Sequence, residues 1–162
     1  MGYGYSKPLI VFLIIAVIIL VGATVIVTSK LHVQRTSELE LYSRYLRRLT
    51  PEEVINEYFI NMNNKDIDKT NLVVRDDLRS TKTHGNLRSM KIINITFSDS
   101  LTEEYKKQYY GLKYLDIKAY SVDYEISYYK SGPQNSGIYE LGFCLIREDE
   151  ESGWRVSDFG FQ

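Results

Sequence analysis

The hydrophobic positions of the chain are concentrated first in one uninterrupted run near the N-terminus. Residues Pro8 to Ser29 include no charged side chain, and Leu9 to Val27 is almost entirely aliphatic. At 1.5 Å per residue a helix of this length reaches roughly 33 Å, which is enough to cross a hydrocarbon core of ~30 Å. The run therefore predicts a transmembrane helix over residues 8–29, preceded by a short N-terminal tail, residues 1–7.

The next segment has a helical pattern of mixed polarity, and it predicts a helical stalk over residues 30–49. Ser37 and Glu40 have the spacing of a capping box, which satisfies free N–H groups at a helix start. An apolar stripe follows at helical intervals: Leu39, Tyr42, Leu46 and Leu49. Such a stripe suits packing on the following domain, contact with the membrane surface or pairing with a second copy.

A strong helix start follows the stalk. Thr50 can cap a helix and Pro51 suits its first position, and the two glutamates that follow complement the positive end of the helix dipole. The apolar positions then mark one face: Val54, Ile55, Tyr58, Phe59 and Met62. Asn63 and Asn64 end this helix. A second short helix is predicted over residues 65–72, and a further turn over residues 76–80.

From Met90 onward the apolar period changes to two, which is typical of strands. Strands are predicted over residues 90–97, 115–129, 138–147 and 154–159. The apolar parity of the long second strand changes near Tyr120, which indicates a β-bulge. Residues 101–114 are charged and rich in tyrosine, as expected of an insert or a helical turn. Helices followed by antiparallel strands predict an α+β fold, with the helices covering the concave face of a bent sheet.

Composition limits the classes of function. Residues 50–162 provide one domain of ~110 residues, in which acidic side chains outnumber basic ones. Nucleic acid needs a concentrated basic surface, so no nucleic-acid partner is expected. Cys144 is the only cysteine, which excludes an intrachain disulfide, and we expect it to be a small buried residue of a strand. Because no His, Cys, Asp and Glu cluster has metal-ligand spacing, neither a metal nor a cofactor is predicted.

Two parts of the domain carry a resemblance to a known family. Pro51 to Asp66, PEEVINEYFINMNNKD, is similar to the opening helix of nuclear transport factor 2-like domains. Gly132–Tyr139, Leu145–Glu148 and Trp154–Gly160 resemble a family of domains of unknown function within that superfamily. Its members are membrane-anchored or lipidated surface proteins of Gram-positive bacteria. The resemblance implies a cone-shaped, cystatin-like α+β domain, and it supplies no catalytic residue.

The charges beside the apolar run give opposite indications of its orientation. Lys7 alone precedes the run, whereas Lys30, Arg35 and further arginines follow it, so the positive-inside rule favours a cytoplasmic domain. A short tail ahead of a long apolar run is also a common arrangement in signal anchors that export the following domain. The run is longer than the core of a signal peptide and lacks a small-residue cleavage site, so we expect a retained single-pass anchor. Together with the resemblance, this favours an extracytoplasmic domain at the cell membrane.

The best candidate for a functional carboxylate is Asp158, close in sequence to Trp154. Superfamily relatives that catalyse place an acid or base and a tyrosine inside the cone. The alternative for Asp158 is a structural role, as a strand-end carboxylate that is hydrogen-bonded to backbone. Asp123 and Glu125 fall on the strand parity that faces water, so they are weaker candidates.

Tyrosines supply the other candidate ligand-binding residues. Most of the 14 tyrosines lie between Tyr105 and Tyr139. Tyrosine offers a large contact area and a hydroxyl, which suits recognition surfaces, but it also has high β propensity and covers half-exposed sheets. The tyrosines that complete the candidate site are Tyr124, Tyr128 and Tyr139.

These observations predict a membrane-tethered, non-enzymatic domain that binds a protein, peptide or small ligand at the cell surface or scaffolds an envelope assembly. Its expected partners are the lipid bilayer and a protein partner or a second copy. The alternative is a small-molecule enzyme of the isomerase or dehydratase type that uses the cone pocket. A cone filled by Phe59, Ile126 and Phe143 would count against that enzyme.

Overall fold

A computed structural model describes residues 7–82, 85–130 and 135–160 of the chain. The chain forms two compact units, Met1–Glu40 and Leu41–Gln162. Most of the predicted N-terminal tail lies outside the described residues, and so do residues 131–134 of the turn that joins the second and third predicted strands.

The N-terminal helix, α1, runs without a break over Lys7–Leu46. The predicted transmembrane segment and most of the predicted stalk therefore form one helix, and the predicted capping box at Ser37 is wrong. Ser37 Oγ instead donates to Val33 O within the helix, at 3.1 Å. Of the helices in the described part of the chain, α1 is the one long and apolar enough to cross a membrane, over Ile15–Leu46.

The second helix, α2, spans Pro51–Asn64 and begins with the predicted cap. Glu53 N donates to Thr50 Oγ1 at 3.3 Å, and Thr50 N donates to Glu53 Oε2 at 2.7 Å, which completes a capping box. The helix ends where Lys65 adopts the left-handed conformation, with φ of 56°. The predicted short helix is α3, Ile67–Val73, and the predicted turn is a 3₁₀ turn over Asp76–Leu78.

Four strands form one antiparallel sheet in chain order. They are β1 Leu87–Phe97, β2 Asp116–Tyr128, β3 Gly137–Arg147 and β4 Arg155–Gly160. The segment predicted as an insert or helical turn contains α4, Asp99–Gln108, which Ser98 caps through a hydrogen bond from Leu101 N. The mixed α+β architecture with an antiparallel sheet is thus confirmed.

The sheet is covered on both faces, by different helices. The main core lies between α2 and one face; its members include Val54, Ile55, Phe59, Tyr120, Val122, Phe143, Leu145 and Trp154. The second core lies between α4 and the opposite face; its members are Tyr105, Tyr109, Ile117, Ala119, Cys144 and Ile146. Cys144 is fully buried in β3, so its prediction as a small buried residue is confirmed.

The predicted β-bulge near Tyr120 is wrong, and the second core explains the pattern that suggested it. The register of β2 with β3 is continuous from Asp116 to Ile126. Ile117 and Ala119 face α4, whereas Tyr120 and the alternate residues after it face α2. The apolar parity therefore changes because the covered face changes. The register shifts of the sheet lie in β1 and between β3 and β4.

The last turn of α1 belongs to the second unit and packs on the main core. Leu46 is buried there, and Tyr42 and Leu49 are partly buried against it. Tyr42 Oη donates to Glu57 Oε2 at 2.6 Å and accepts a hydrogen bond from Asn61 Nδ2 at 2.6 Å. The C-terminal part of the apolar stripe therefore packs on the following domain, which is one of the three roles predicted for it.

Candidate functional site

The structure does not bring all the predicted site residues together. Trp154 lies in the main core, just before β4. Asp158 pairs with Cys144 across the strands, and it lines a depression beside α4 on the opposite face of the sheet. The carboxylate and the indole that are close in sequence therefore serve different surfaces.

Trp154 is held by two cations over its ring. Lys118 Nζ and Arg147 Cζ each lie 5.4 Å from the indole centroid, which is within the range of a cation–π interaction. The cleft in front of it also contains Arg155, which is ion-paired with Asp76 at 3.2 Å. These contacts indicate a packing role for the indole.

The three predicted tyrosines do come together, at the end of the sheet nearest to Gly137. The ring centroids of Tyr124 and Tyr139 are 6.1 Å apart, and Tyr124 also packs at 5.5 Å against Phe59. Tyr139 Oη donates to Asn135 O at 2.9 Å. Burial raises the pKa of Tyr124 and that of Tyr128, with the neighbouring Tyr139 as a smaller cause for Tyr128. These tyrosines cover one end of the main core.

Asp158 lies in an open depression of about 610 Å³, which we call the α4 trough. The residues that line it are Leu101, Glu104, Tyr105, Gln108, Gly142, Asp158 and Gly160. The two glycines face each other across β3 and β4 and form its floor. A Cβ atom on Gly160 would lie 3.0 Å from Tyr105 Oη, so the close approach of the Tyr105 hydroxyl to β4 depends on this glycine.

Polar groups of different burial face the α4 trough. Asp158 Oδ1 accepts a hydrogen bond from Phe159 N at 2.7 Å, which is the structural role that the sequence analysis gave as the alternative for this carboxylate. Tyr105 is only 8% exposed, and its hydroxyl has no hydrogen-bond partner among residues 7–82, 85–130 and 135–160. Burial, with the Asp158 charge as a second cause, raises the pKa of Tyr105 to about 12. The hydroxyl therefore stays protonated at neutral pH and can donate a hydrogen bond into the trough.

A family model described as a domain of unknown function (DUF4829) matches residues 52–160. The chain belongs to the DUF4829 family. The predicted membership of a family of domains of unknown function is thereby confirmed. Searches of curated proteins and of solved structures returned no match.

The polar side chains at the candidate site of the DUF4829 domain are spread out and do not converge on one point. Over the described residues, no group of three or more His, Cys, Asp and Glu side chains converges as metal ligands do. The α4 trough instead combines carboxylates, the hydroxyl of Tyr105 and an apolar wall from Leu101. Such a surface can recognise a ligand by charge and hydrogen bonding.

Sequence reasoning found Asp158 in the DUF4829 domain but missed Tyr105 and the glycine floor. One signal was available: Leu101, Tyr105 and Tyr109 recur every four residues, which is the pattern of an amphipathic helix. That pattern predicts α4 and its buried face. The position of α4 over the ends of β3 and β4 is a tertiary property that the pattern does not contain.

Proposed function

We propose that this protein is a membrane-tethered, non-enzymatic binding domain at the cell surface. In this proposal α1 crosses the membrane once, and the DUF4829 domain lies outside the cytoplasm and binds a protein or peptide there. The observation that carries the proposal is a filled interior beside an open, polar trough. The same arrangement would serve a subunit of an envelope assembly.

The filled interior supports binding over catalysis. Phe59, Ile126 and Phe143 are 3%, 8% and 0% exposed, and they belong to the main core. The rings around Phe143 have centroid distances of 5.1 to 5.9 Å, as in a packed aromatic core. An isomerase or dehydratase of the expected type needs space in that position for its substrate. The best carboxylate, Asp158, lies on the outer face of the sheet.

We further propose that the domain is a nuclear transport factor 2-like cone from a Gram-positive bacterium. Three features support this: the resemblance of the opening helix, the position of α2 on one face of the sheet, and the register shifts in β1. Register shifts of this kind bend strands, as closure of a cone requires.

The location is tested by labelling intact cells with a membrane-impermeant maleimide. We expect Glu150→Cys, in the exposed turn between β3 and β4, to be labelled in cells that express the full chain. The natural chain is the matched control, because Cys144 is fully buried and burial raises the pKa of its thiol to about 12. Labelling of Glu150→Cys only after the cells are permeabilised would place the domain in the cytoplasm and contradict the proposal.

The binding role is tested by site-specific photo-crosslinking in the same cells. A photoreactive amino acid at Gln108, on the rim of the α4 trough, should give a discrete adduct with one partner. The same amino acid at Lys82, an exposed position that does not line the trough, is the matched control. Equal adducts at both positions, or none at Gln108, would show that the trough is not a partner surface.

A further inference from the structure

The sheet has two edge strands, β1 and β4, and other parts of the domain cover them unequally. At β4, Val74 forms a parallel bridge with Val156, and Arg75 N donates to Val156 O at 2.8 Å. At β1, the side chain of Asn63 takes the place of a neighbouring strand: it accepts from Met90 N at 2.6 Å and donates to Met90 O at 2.7 Å. Proteins commonly protect edge strands in such ways, because unpaired backbone groups can pair with another chain.

The C-terminal half of β1 has no such cover among the described residues. Ser98 N donates to Ala119 O at 2.9 Å, so the backbone of Ser98 faces β2. Because backbone groups alternate along an antiparallel strand, those of Ile95 and Phe97 point away from β2, to the free side of the sheet. Within the described ranges, no residue hydrogen-bonds them there. We call residues 94–97 the open edge.

The open edge has the composition of a strand that pairs readily. Residues 92–97, Ile-Ile-Asn-Ile-Thr-Phe, include no charged side chain, proline or glycine. Exposed segments of high β propensity and low charge are the ones that add to other strands. Ile93 and Phe97 are 54% and 45% exposed, and Asn94 Nδ2 donates to the exposed Thr96 Oγ1 at 2.9 Å. The open edge therefore offers both backbone groups and side chains to an incoming strand.

The open edge is complementary to itself. In an antiparallel pair centred on Thr96, this residue lies opposite Thr96 of a second copy, and Ile95 lies opposite Phe97. Pairs of threonines, and pairs of an aromatic with a β-branched residue, are favourable neighbours across strands. The hydrogen bonds also fit this register, because Ile95 and Phe97 form the hydrogen-bonded pairs and Thr96 forms the non-hydrogen-bonded pair between them.

The charges that flank the open edge are complementary in the same arrangement. Lys91 precedes the open edge, and Asp99 follows it at the start of α4. Lys91 is in register with Glu125 of β2, but across the described residues neither Lys91 nor Asp99 is ion-paired. Because the two strands run in opposite directions, Lys91 of each copy approaches Asp99 of the other, and the contact occurs twice.

We infer that two copies of this chain associate through the open edge of β1, as an antiparallel strand pair that joins their sheets. Both copies use the same surface, so the assembly closes at two and does not extend into a fibre. The contact is smaller than a standard protein interface, so association in solution is weak. Copies whose α1 helices lie in one bilayer meet at a higher local concentration, which favours the pair there. The inference goes beyond the proposed function, and it does not involve the α4 trough.

The first test is disulfide formation between copies, in membranes from cells that express the full chain. Thr96→Cys places two thiols at the centre of the pair, where a Cα separation of about 4.5 Å suits a disulfide. We expect mild oxidation to give a disulfide-linked dimer of this variant. The natural Cys144 does not compete, because it is fully buried.

Glu125→Cys is the matched control, since Glu125 is exposed on β2, one strand in from the open edge. In the paired assembly it is three strand spacings, about 14 Å, from its copy, which is too far for a disulfide. Equal dimer yields from the two variants, or no dimer from Thr96→Cys, would overturn the inference. A disulfide of Thr96→Cys with a different protein in place of a second copy would also overturn it.

The second test exchanges the flanking charges in chains that also carry Thr96→Cys. Lys91→Glu alone, or Asp99→Lys alone, should lower the dimer yield about threefold, because each places like charges at both contacts. Co-expression of Lys91→Glu chains with Asp99→Lys chains of different tag length should restore the mixed dimer, because both contacts then join opposite charges. A variant that had only lost its fold would not be rescued in this way. A mixed dimer no more abundant than the dimers of each variant alone would contradict the pairing.

Discussion

Phe143→Ala should lower the free energy of unfolding of the domain by about 3–5 kcal/mol, which is the usual cost of removing a buried phenyl ring. Phe143 is 0% exposed and contacts three other rings: Tyr58, Phe59 and Phe159. Its neighbours come from two elements, α2 and β4, so the resulting cavity closes only if both elements shift toward it. Urea unfolding of the full chain in detergent micelles, followed by the emission of Trp154, the only tryptophan, measures this loss.

Phe97→Ala is the matched control for the aromatic core. Phe97 lies at the end of β1, is 45% exposed and contacts one ring, that of Tyr120, at 5.5 Å. Because water already covers much of this side chain, its removal should cost about 1 kcal/mol or less. Similar losses for both variants would mean that the interior around Phe143 is not packed. The interior would then have room for a substrate, which would contradict the proposed binding function.

Local chemistry in the sequence was sufficient to predict the elements that depend on neighbouring residues. The start of α2 follows from Thr50, Pro51 and Glu53 alone, because a capping box needs only four consecutive residues. The strands follow from their period of two. The predicted capping box at Ser37 was wrong, because a serine within a continuing helix can donate its hydroxyl hydrogen bond to a carbonyl of the preceding turn.

Features that depend on which element covers which face could not be predicted in this way. The parity change near Tyr120 has two explanations, an inserted residue or a change of cover, and the sequence alone does not separate them. The position of α4 shows that the parity changes because the covered face changes. The domain therefore has two apolar layers where the sequence predicted one.

The separation of Trp154 from Asp158 has a comparable cause. Residues four apart in a regular strand share a face. In β4, however, Val156 pairs with Leu145 and Asp158 pairs with Cys144, so the register shifts by one residue between them. The shift turns Asp158 toward α4 and Tyr105. The candidate site therefore contains Asp158, which the sequence predicted, and α4, whose position over the sheet the sequence did not predict.

The domain should lose stability steeply as the pH rises above about 10, the ordinary pKa of tyrosine. Burial raises the pKa of Tyr58 and Tyr105 to about 12, and burial, with a hydrogen bond to Glu52, raises that of Tyr120 still further. Above pH 10 the unfolded chain releases these protons while the folded domain keeps them. The unfolded state then binds fewer protons, so the free energy of unfolding falls with rising pH. Since one pKa unit corresponds to about 1.4 kcal/mol, Tyr58 alone removes roughly 2 kcal/mol by pH 12, which is a large part of the whole stability of a small domain.

The pH of the alkaline unfolding midpoint should depend on the buried tyrosines and not on the total number of tyrosines. Tyr58→Phe removes one hydroxyl that has no hydrogen-bond partner within the described residues, so it should raise the pH of the unfolding midpoint with little change in stability at neutral pH. Tyr110→Phe, at a side chain that is 90% exposed, is the matched control and should leave the midpoint unchanged. Trp154 emission reports unfolding during the pH titration, and tyrosinate absorbance reports ionisation. Coincidence of the two transitions is the expected result, because Tyr58 and Tyr120 ionise only when the main core opens. Full tyrosinate absorbance in a domain that remains folded would contradict the burial of the tyrosines, and with it the closed interior on which the proposed function depends.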